Sequence, residues 1–196
     1  TETNQYGGTL QLPLTESVSL HAKTDTRERD QGLYTRATEI DLDWQLDDRW
    51  TVSAGVRRDE RFDRSPVVPV TQVQGERTDA AARLAYDSKG RWTAYGFVQD
   101  TLDKTGNREN NARIGAGGSI RVSERWRITG EASGGDLGGA GSLGTEYLWS
   151  DRTNLYLTYA LENESADNGL RAKKGSLVSG FRTQYSDSAS VYMEER

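Results

Sequence analysis

The sequence has no cysteine and a single histidine among its 196 residues. Without thiols the chain cannot build a disulfide framework, a thiolate metal site or a cysteine nucleophile. With one imidazole, a transition-metal site would have to rely mostly on carboxylates, a ligand set that zinc rarely uses alone. We therefore expect no metal, no cofactor and no catalytic residue, and we interpret the protein as a non-enzyme.

Long hydrophobic runs are also missing, because no stretch approaches the roughly 18 apolar residues of a membrane helix. Hydrophobic residues make up 34% of the chain and charged residues 28%, values that suit a very polar soluble protein or partial disorder. Five tryptophans, nine tyrosines and sustained alternation argue against disorder. The net charge of −5 is dispersed, so nucleic acid is not an expected partner.

What the sequence does contain is clearest between residues 39 and 61. Apolar residues alternate with charged or polar ones from Glu39 to Leu46, a period of two that predicts a strand with unlike faces. Asp47-Asp48-Arg49 predicts a tight turn, after which alternation resumes at Trp50. Each strand of this predicted hairpin has one apolar and one densely ionic face.

Similar hairpins recur along the whole chain and predict about twelve antiparallel strands in a single domain, residues 1–196. In one of them Tyr95 and Phe97 fall on the opposite register from their apolar neighbours, which leaves its faces open. The predicted tight turns lie near residues 13–17, 47–49, 88–90, 122–125, 150–152 and 186–188. Longer polar connections alternate with them, at 27–36, 63–77 and 165–173, and the glycine-rich stretch 134–141 is predicted to be a flexible loop.

The alternating strands, the Asp-Asp-Arg-Trp turn at 47–50, the Ser-Asp-Arg-Thr turn at 150–153 and the aromatic residues beside such turns resemble bacterial outer-membrane β-barrel proteins of the porin-like superfamily. The resemblance implies an all-β, antiparallel up-and-down transmembrane β-barrel in a Gram-negative outer membrane. It also implies short periplasmic turns and longer external loops. A wet interior would account for the polar composition, since only alternate strand residues then need to be apolar.

The resemblance implies two sets of candidate residues. The ionic strand positions would line the lumen, whereas in a soluble protein they would form a solvated sheet face. The turn-side aromatic residues would form a girdle at the membrane interface. The lumen-lining candidates are Glu39, Asp41, Asp43, Arg57, Asp59, Arg61, Arg113, Arg121, Arg127 and Glu131. The girdle candidates are Trp50, Trp92, Trp126, Trp149, Tyr86 and Tyr185. Outer-membrane lipid, lipopolysaccharide, and ions or small solutes are the partners expected of such a barrel.

Three functions remain open from the residues. We favour a passive pore or envelope scaffold; the alternative is a surface adhesin or receptor that displays the 63–77 and 165–173 loops. An outer-membrane hydrolase using His21 as a base is less favoured, because no nucleophile motif accompanies that histidine. Residues 1–5 lack the basic and apolar regions of a signal peptide, the last residues lack a terminal aromatic, and the loop lengths put both ends outside, so we expect an internal segment of a larger barrel.

Overall fold

The computed structural model describes residues 2–29, 32–65, 67–68, 73–162, 174–186 and 189–195. In these ranges twelve strands form one antiparallel sheet in chain order, with no helix. The strands are β1 (Thr3–Pro13), β2 (Val18–Arg29), β3 (Leu33–Gln45), β4 (Trp50–Asp63), β5 (Gly75–Asp87), β6 (Trp92–Lys104), β7 (Arg113–Arg121), β8 (Trp126–Gly135), β9 (Ala140–Ser150), β10 (Thr153–Glu162), β11 (Lys174–Ser186) and β12 (Ala189–Glu195). The predicted all-β, up-and-down arrangement of twelve strands is confirmed.

None of the described residues forms a helix long and apolar enough to cross a membrane.

Every strand pairs with the next one along the chain, and within the described ranges no ladder joins β1 to β12. The β3–β4 hairpin shows how the turns set the register. Asp47 Oδ1 accepts hydrogen bonds from the backbone N–H groups of Arg49 and Trp50, each at 2.7 Å, and closes the turn. Leu42 then faces Ala54 and the pairing continues without a shift from one end of the hairpin to the other.

Two predicted loops are largely strand. The polar segment 27–36 was expected to be a long connection, but β2 continues to Arg29 and β3 begins at Leu33. The loop predicted for the glycine-rich stretch 134–141 covers only residues 136–139, because β8 ends at Gly135 and β9 begins at Ala140. In both places the ladder satisfies backbone groups that an exposed loop would leave to water. The predicted 165–173 loop lies outside the described residues.

The burial of side chains in this sheet is the opposite of that in a soluble protein. Among the described residues Leu33 is the one buried hydrophobic side chain, whereas the buried polar side chains are those of Thr26, Arg77, Asp79 and Arg108. Large apolar side chains lie exposed on the other face; Ile114 is 67% exposed. Water would not tolerate so extensive an apolar surface, but lipid would.

The apolar band covers only part of the longer strands. A membrane-crossing strand needs about 9–11 residues, and β4 has 14. Beyond Val56 the apolar face of β4 turns ionic: Arg58 contacts Glu60 at 3.2 Å and Glu76 on β5 at 2.5 Å. β4 therefore continues past the apolar band at the end of the sheet opposite the tight turns.

Candidate functional site

The ten predicted lumen-lining residues share the polar face of the sheet. Cross-strand pairing aligns Glu39 with Arg57 and Arg57 with Asp79, so acids and bases alternate across β3, β4 and β5. The structure brings the β3 and β4 candidates together. Four others stand apart on β7 and β8, namely Arg113, Arg121, Arg127 and Glu131.

A cavity of about 620 Å³ lies on the middle of the polar face, over strands β1 to β6. Asp41 and Asp43 border it from β3, and Lys23 does so from β2. Arg83 and Phe97 border it from β5 and β6. The acidic residues of β3 therefore lie between Lys23 on one side and Arg83 and Phe97 on the other, a surface suited to water and charged or polar solutes.

His21 also lines this cavity, beside Ser19 and Asp43. Its Nε2 lies 3.2 Å from Ser19 Oγ and 3.2 Å from Asp43 Oδ2. In a Ser-His-Asp triad the acid holds one ring nitrogen while the serine hydroxyl contacts the other. Because both groups here approach the same nitrogen, the arrangement lacks the geometry of a triad. Across the described ranges, no three His, Asp or Glu side chains converge as metal ligands would.

Two aromatic residues of β6 belong to the polar face and were not among the predicted site residues. Tyr95 donates a hydrogen bond to Glu131, and the guanidinium carbon of Arg83 lies 3.7 Å from the Tyr95 ring centroid. Phe97 stacks on Tyr95 with ring centroids 6.5 Å apart. The sequence contained one signal for this placement: Tyr95 and Phe97 alternate with Val98, which puts them on the face opposite the apolar one.

The polar face becomes more densely ionic toward the end away from the tight turns. Arg57 donates to both carboxylate oxygens of Asp59, at 3.1 and 3.2 Å. Arg77 donates to Asp79 at 2.9 Å, and both side chains are buried. Arg108 comes from the β6–β7 connection, Thr105–Ala112, yet it is only 5% exposed. The sequence did not single out Arg108, because nothing local shows that this connection folds over the polar face.

Arg121 and Arg127 lie at the turn end of β7 and β8, whereas Arg113 lies at the opposite end, paired with Gly135. Arg121 faces Arg127 across the ladder. Arg127 approaches Glu146 of β9 at 3.9 Å, and both side chains are about 44% exposed. A solvated pair of this kind contributes little to stability, so these residues shape the charge of the face more than they hold it together.

The aromatic residues beside the tight turns cluster on the apolar face. The Trp50 and Tyr86 ring centroids are 4.8 Å apart, and those of Tyr86 and Trp92 are 5.2 Å apart. Tyr147, which was not among the predicted girdle residues, lies between Trp126 and Trp149, with ring centroids 6.5 and 6.4 Å from theirs. Of the sixth candidate, Tyr185, only the backbone is described, within β11. The described aromatic rings thus form two patches along one edge of the apolar band.

Comparisons with known proteins place the fold and leave the substrate open. No protein-family model matches the chain, and no curated protein matches it. Among solved structures it is similar to the Pseudomonas putida toluene transporter TodX, with a TM-score of 0.62 and 10% sequence identity. The similarity covers 97% of this chain and 75% of the TodX chain. The chain therefore has the fold of an outer-membrane β-barrel, and so distant a likeness carries no more than the fold.

Proposed function

We propose that the protein is an outer-membrane β-barrel that lets small polar solutes pass along its ionic face. The observation that carries this proposal is the inverted burial, with arginine and aspartate covered and large apolar side chains exposed. That distribution suits a sheet whose apolar face contacts lipid while its polar face encloses water. The likeness to a transporter barrel supports the same class of function.

We infer that the solute is polar, although TodX is described as a toluene transporter. The cavity of about 620 Å³ is bordered by Lys23, Asp41, Asp43 and Arg83, and desolvating such groups against a hydrocarbon would be costly. The ten lumen-lining candidates would set ion selectivity, and the aromatic patches would contact the lipid headgroups. Lipid and lipopolysaccharide would surround the apolar band.

Single-channel recording in planar bilayers tests the proposal. The refolded protein should conduct, and replacing Asp41 and Asp43 together with lysine should shift its reversal potential toward anion selectivity. Leu42→Met on the opposite face of the same strand is the matched control and should leave the reversal potential unchanged. A correctly folded protein without conductance would instead favour the scaffold or adhesin function.

A further inference from the structure

The ionic end of the polar face contains a cavity of about 220 Å³ whose wall is dominated by arginine. Its volume is below the roughly 300–1,000 Å³ of pockets for drug-sized ligands, so only a small solute would fit. The lining side chains are Arg57, Arg61, Arg77 and Arg108 with Asp59, Asp79, Gln99 and Asn111. Four guanidinium groups against two carboxylates leave a formal excess of two positive charges around this space.

Arg108 closes the cavity, and a well-fixed connection carries it there. Asn107 donates its backbone N–H to Gln74 O at 3.1 Å, and Gln74 N–H donates to Asn107 Oδ1 at 2.5 Å. Gly75 and Gly106 have φ angles of +113° and +67° and lie against each other, which lets the two connections approach closely. Arg77 Nη1 also donates to Glu109 O at 3.5 Å. The arginine is therefore held over the polar face by bonds on both sides of it.

The same guanidinium borders a second cavity, of about 150 Å³, together with Asp25, Arg27 and Arg61. Arg108 thus lies between two small spaces. Around the two together, six arginines face the four carboxylates of Asp25, Asp59, Glu60 and Asp79, so the formal excess remains two positive charges. Positive charges held this close repel one another, and limited exposure to water strengthens that repulsion. An anion between them would relieve it, and guanidinium groups match the paired oxygens of phosphate, sulfate and carboxylate.

We propose that the arginine cavity binds a small dianionic oxyanion and is an anion-selecting site within the pore. This inference rests on the proposed function for its role in transport, but the binding itself does not depend on conduction. Phosphate, sulfate and a small dicarboxylate share the required chemistry. Asn111 and Gln99 add neutral polar groups at the same wall, where an amide N–H can donate to the anion.

Calorimetric titration of the detergent-refolded protein with inorganic phosphate, sulfate and succinate in turn tests the site. We expect one saturable site, with succinate excluded if the cavity takes only a tetrahedral anion. Arg108→Gln should weaken binding about tenfold or more, since a charge-assisted bond is lost. Arg125→Gln, an exposed arginine in the tight turn at the other end of the sheet, is the control and should bind unchanged.

Two results would overturn the site: no saturable binding of any of the three anions, or equal binding by Arg108→Gln and the unmodified protein. A third result would indicate that Arg108 narrows the pore and does not bind an anion. In that case Arg108→Gln would raise the conductance, and phosphate would have no effect on the unmodified channel. Anion binding without conductance would support the anion site and contradict the proposed pore function. Conductance without anion binding would support the pore function and contradict the anion site.

Discussion

The ring of Phe97 on β6 fills the space that a side chain at position 115 of β7 would need. A Cβ atom built on Gly115 would lie 2.5 Å from Phe97 Cζ and 2.7 Å from Ser133 Cβ. Gly117 has the same relationship to Tyr95, whose hydroxyl oxygen would be 2.5 Å from the added atom. The glycines of β7 therefore make room for the two aromatic rings on the polar face.

This relationship predicts that Gly115→Ala destabilises the fold by about 1–3 kcal/mol, the usual cost of overpacking. Gly134→Ala on β8 is the control, because nothing lies within 4 Å of its added Cβ. Urea unfolding in lipid vesicles measures both. Combining Gly115→Ala with Phe97→Ala should recover part of the loss, and strictly additive effects would contradict the proposed contact.

The amount of structure that could be predicted from sequence varies along the chain. The β3–β4 hairpin was accessible because its alternation and its Asp47 turn are local signals. The short β2–β3 connection could not be predicted from sequence, because charged residues near Arg29 suit a loop and a polar sheet face equally well. Only the cross-strand pairing of Glu28 with Tyr34 distinguishes the two, and pairing is not a local property.

The candidate site was predictable to a similar degree. Period-two alternation placed Asp41 and Arg57 on one face, as the register confirms. Arg108 could not be found in that way, because its burial depends on a connection folding across strands that are distant in sequence. The ring stacking of Tyr95 and Phe97 likewise depends on glycines of the neighbouring strand.

A charged residue at a lipid-facing position on β3 should destabilise the fold much more than the same residue at the neighbouring position on the polar face. Leu42→Arg should cost about 2–4 kcal/mol if that residue lies at the bilayer midplane, whereas Asp43→Arg should have a small effect on the polar face. Folding yield and urea midpoints in lipid vesicles compare the two variants. Equal tolerance of arginine at both positions would count heavily against a membrane barrel.

Loss of His21 should leave the protein functional. Its contact with Asp43 involves side chains that are each more than one-third exposed, so the pair contributes little to stability. His21→Ala should fold and conduct much as the unmodified protein does. A large loss of any hydrolytic activity in that variant would instead revive the hydrolase function.

The β3–β4 turn should weaken in acid. Hydrogen bonds from the backbone N–H groups of Arg49 and Trp50 lower the pKa of Asp47 below its ordinary value of about 3.9. A carboxylate with a lowered folded-state pKa stabilises the fold above that ordinary value and loses the effect as pH falls through the folded pKa. The stability gap between the unmodified protein and Asp47→Asn should therefore shrink below about pH 4.

Carbon-13 chemical shifts of the carboxyl group measure the Asp47 pKa directly, and urea unfolding at several pH values measures the gap. Asp48→Asn is the matched control, because Asp48 lies in the same turn and neither of these two hydrogen bonds ends on it. A gap that stays constant from pH 7 to pH 3 would contradict the proposed role of the turn carboxylate.

The orientation in the membrane follows from which end of the sheet carries the tight turns. Outer-membrane barrels keep short turns in the periplasm and longer loops outside, so Asp48 and Asp151 should be periplasmic and Ser65 external. The chain has no cysteine of its own, so single substitutions report without background. A membrane-impermeant maleimide should label Ser65→Cys in intact cells. Asp48→Cys and Asp151→Cys should react only after the outer membrane is permeabilised, and the reverse pattern would invert the assigned topology.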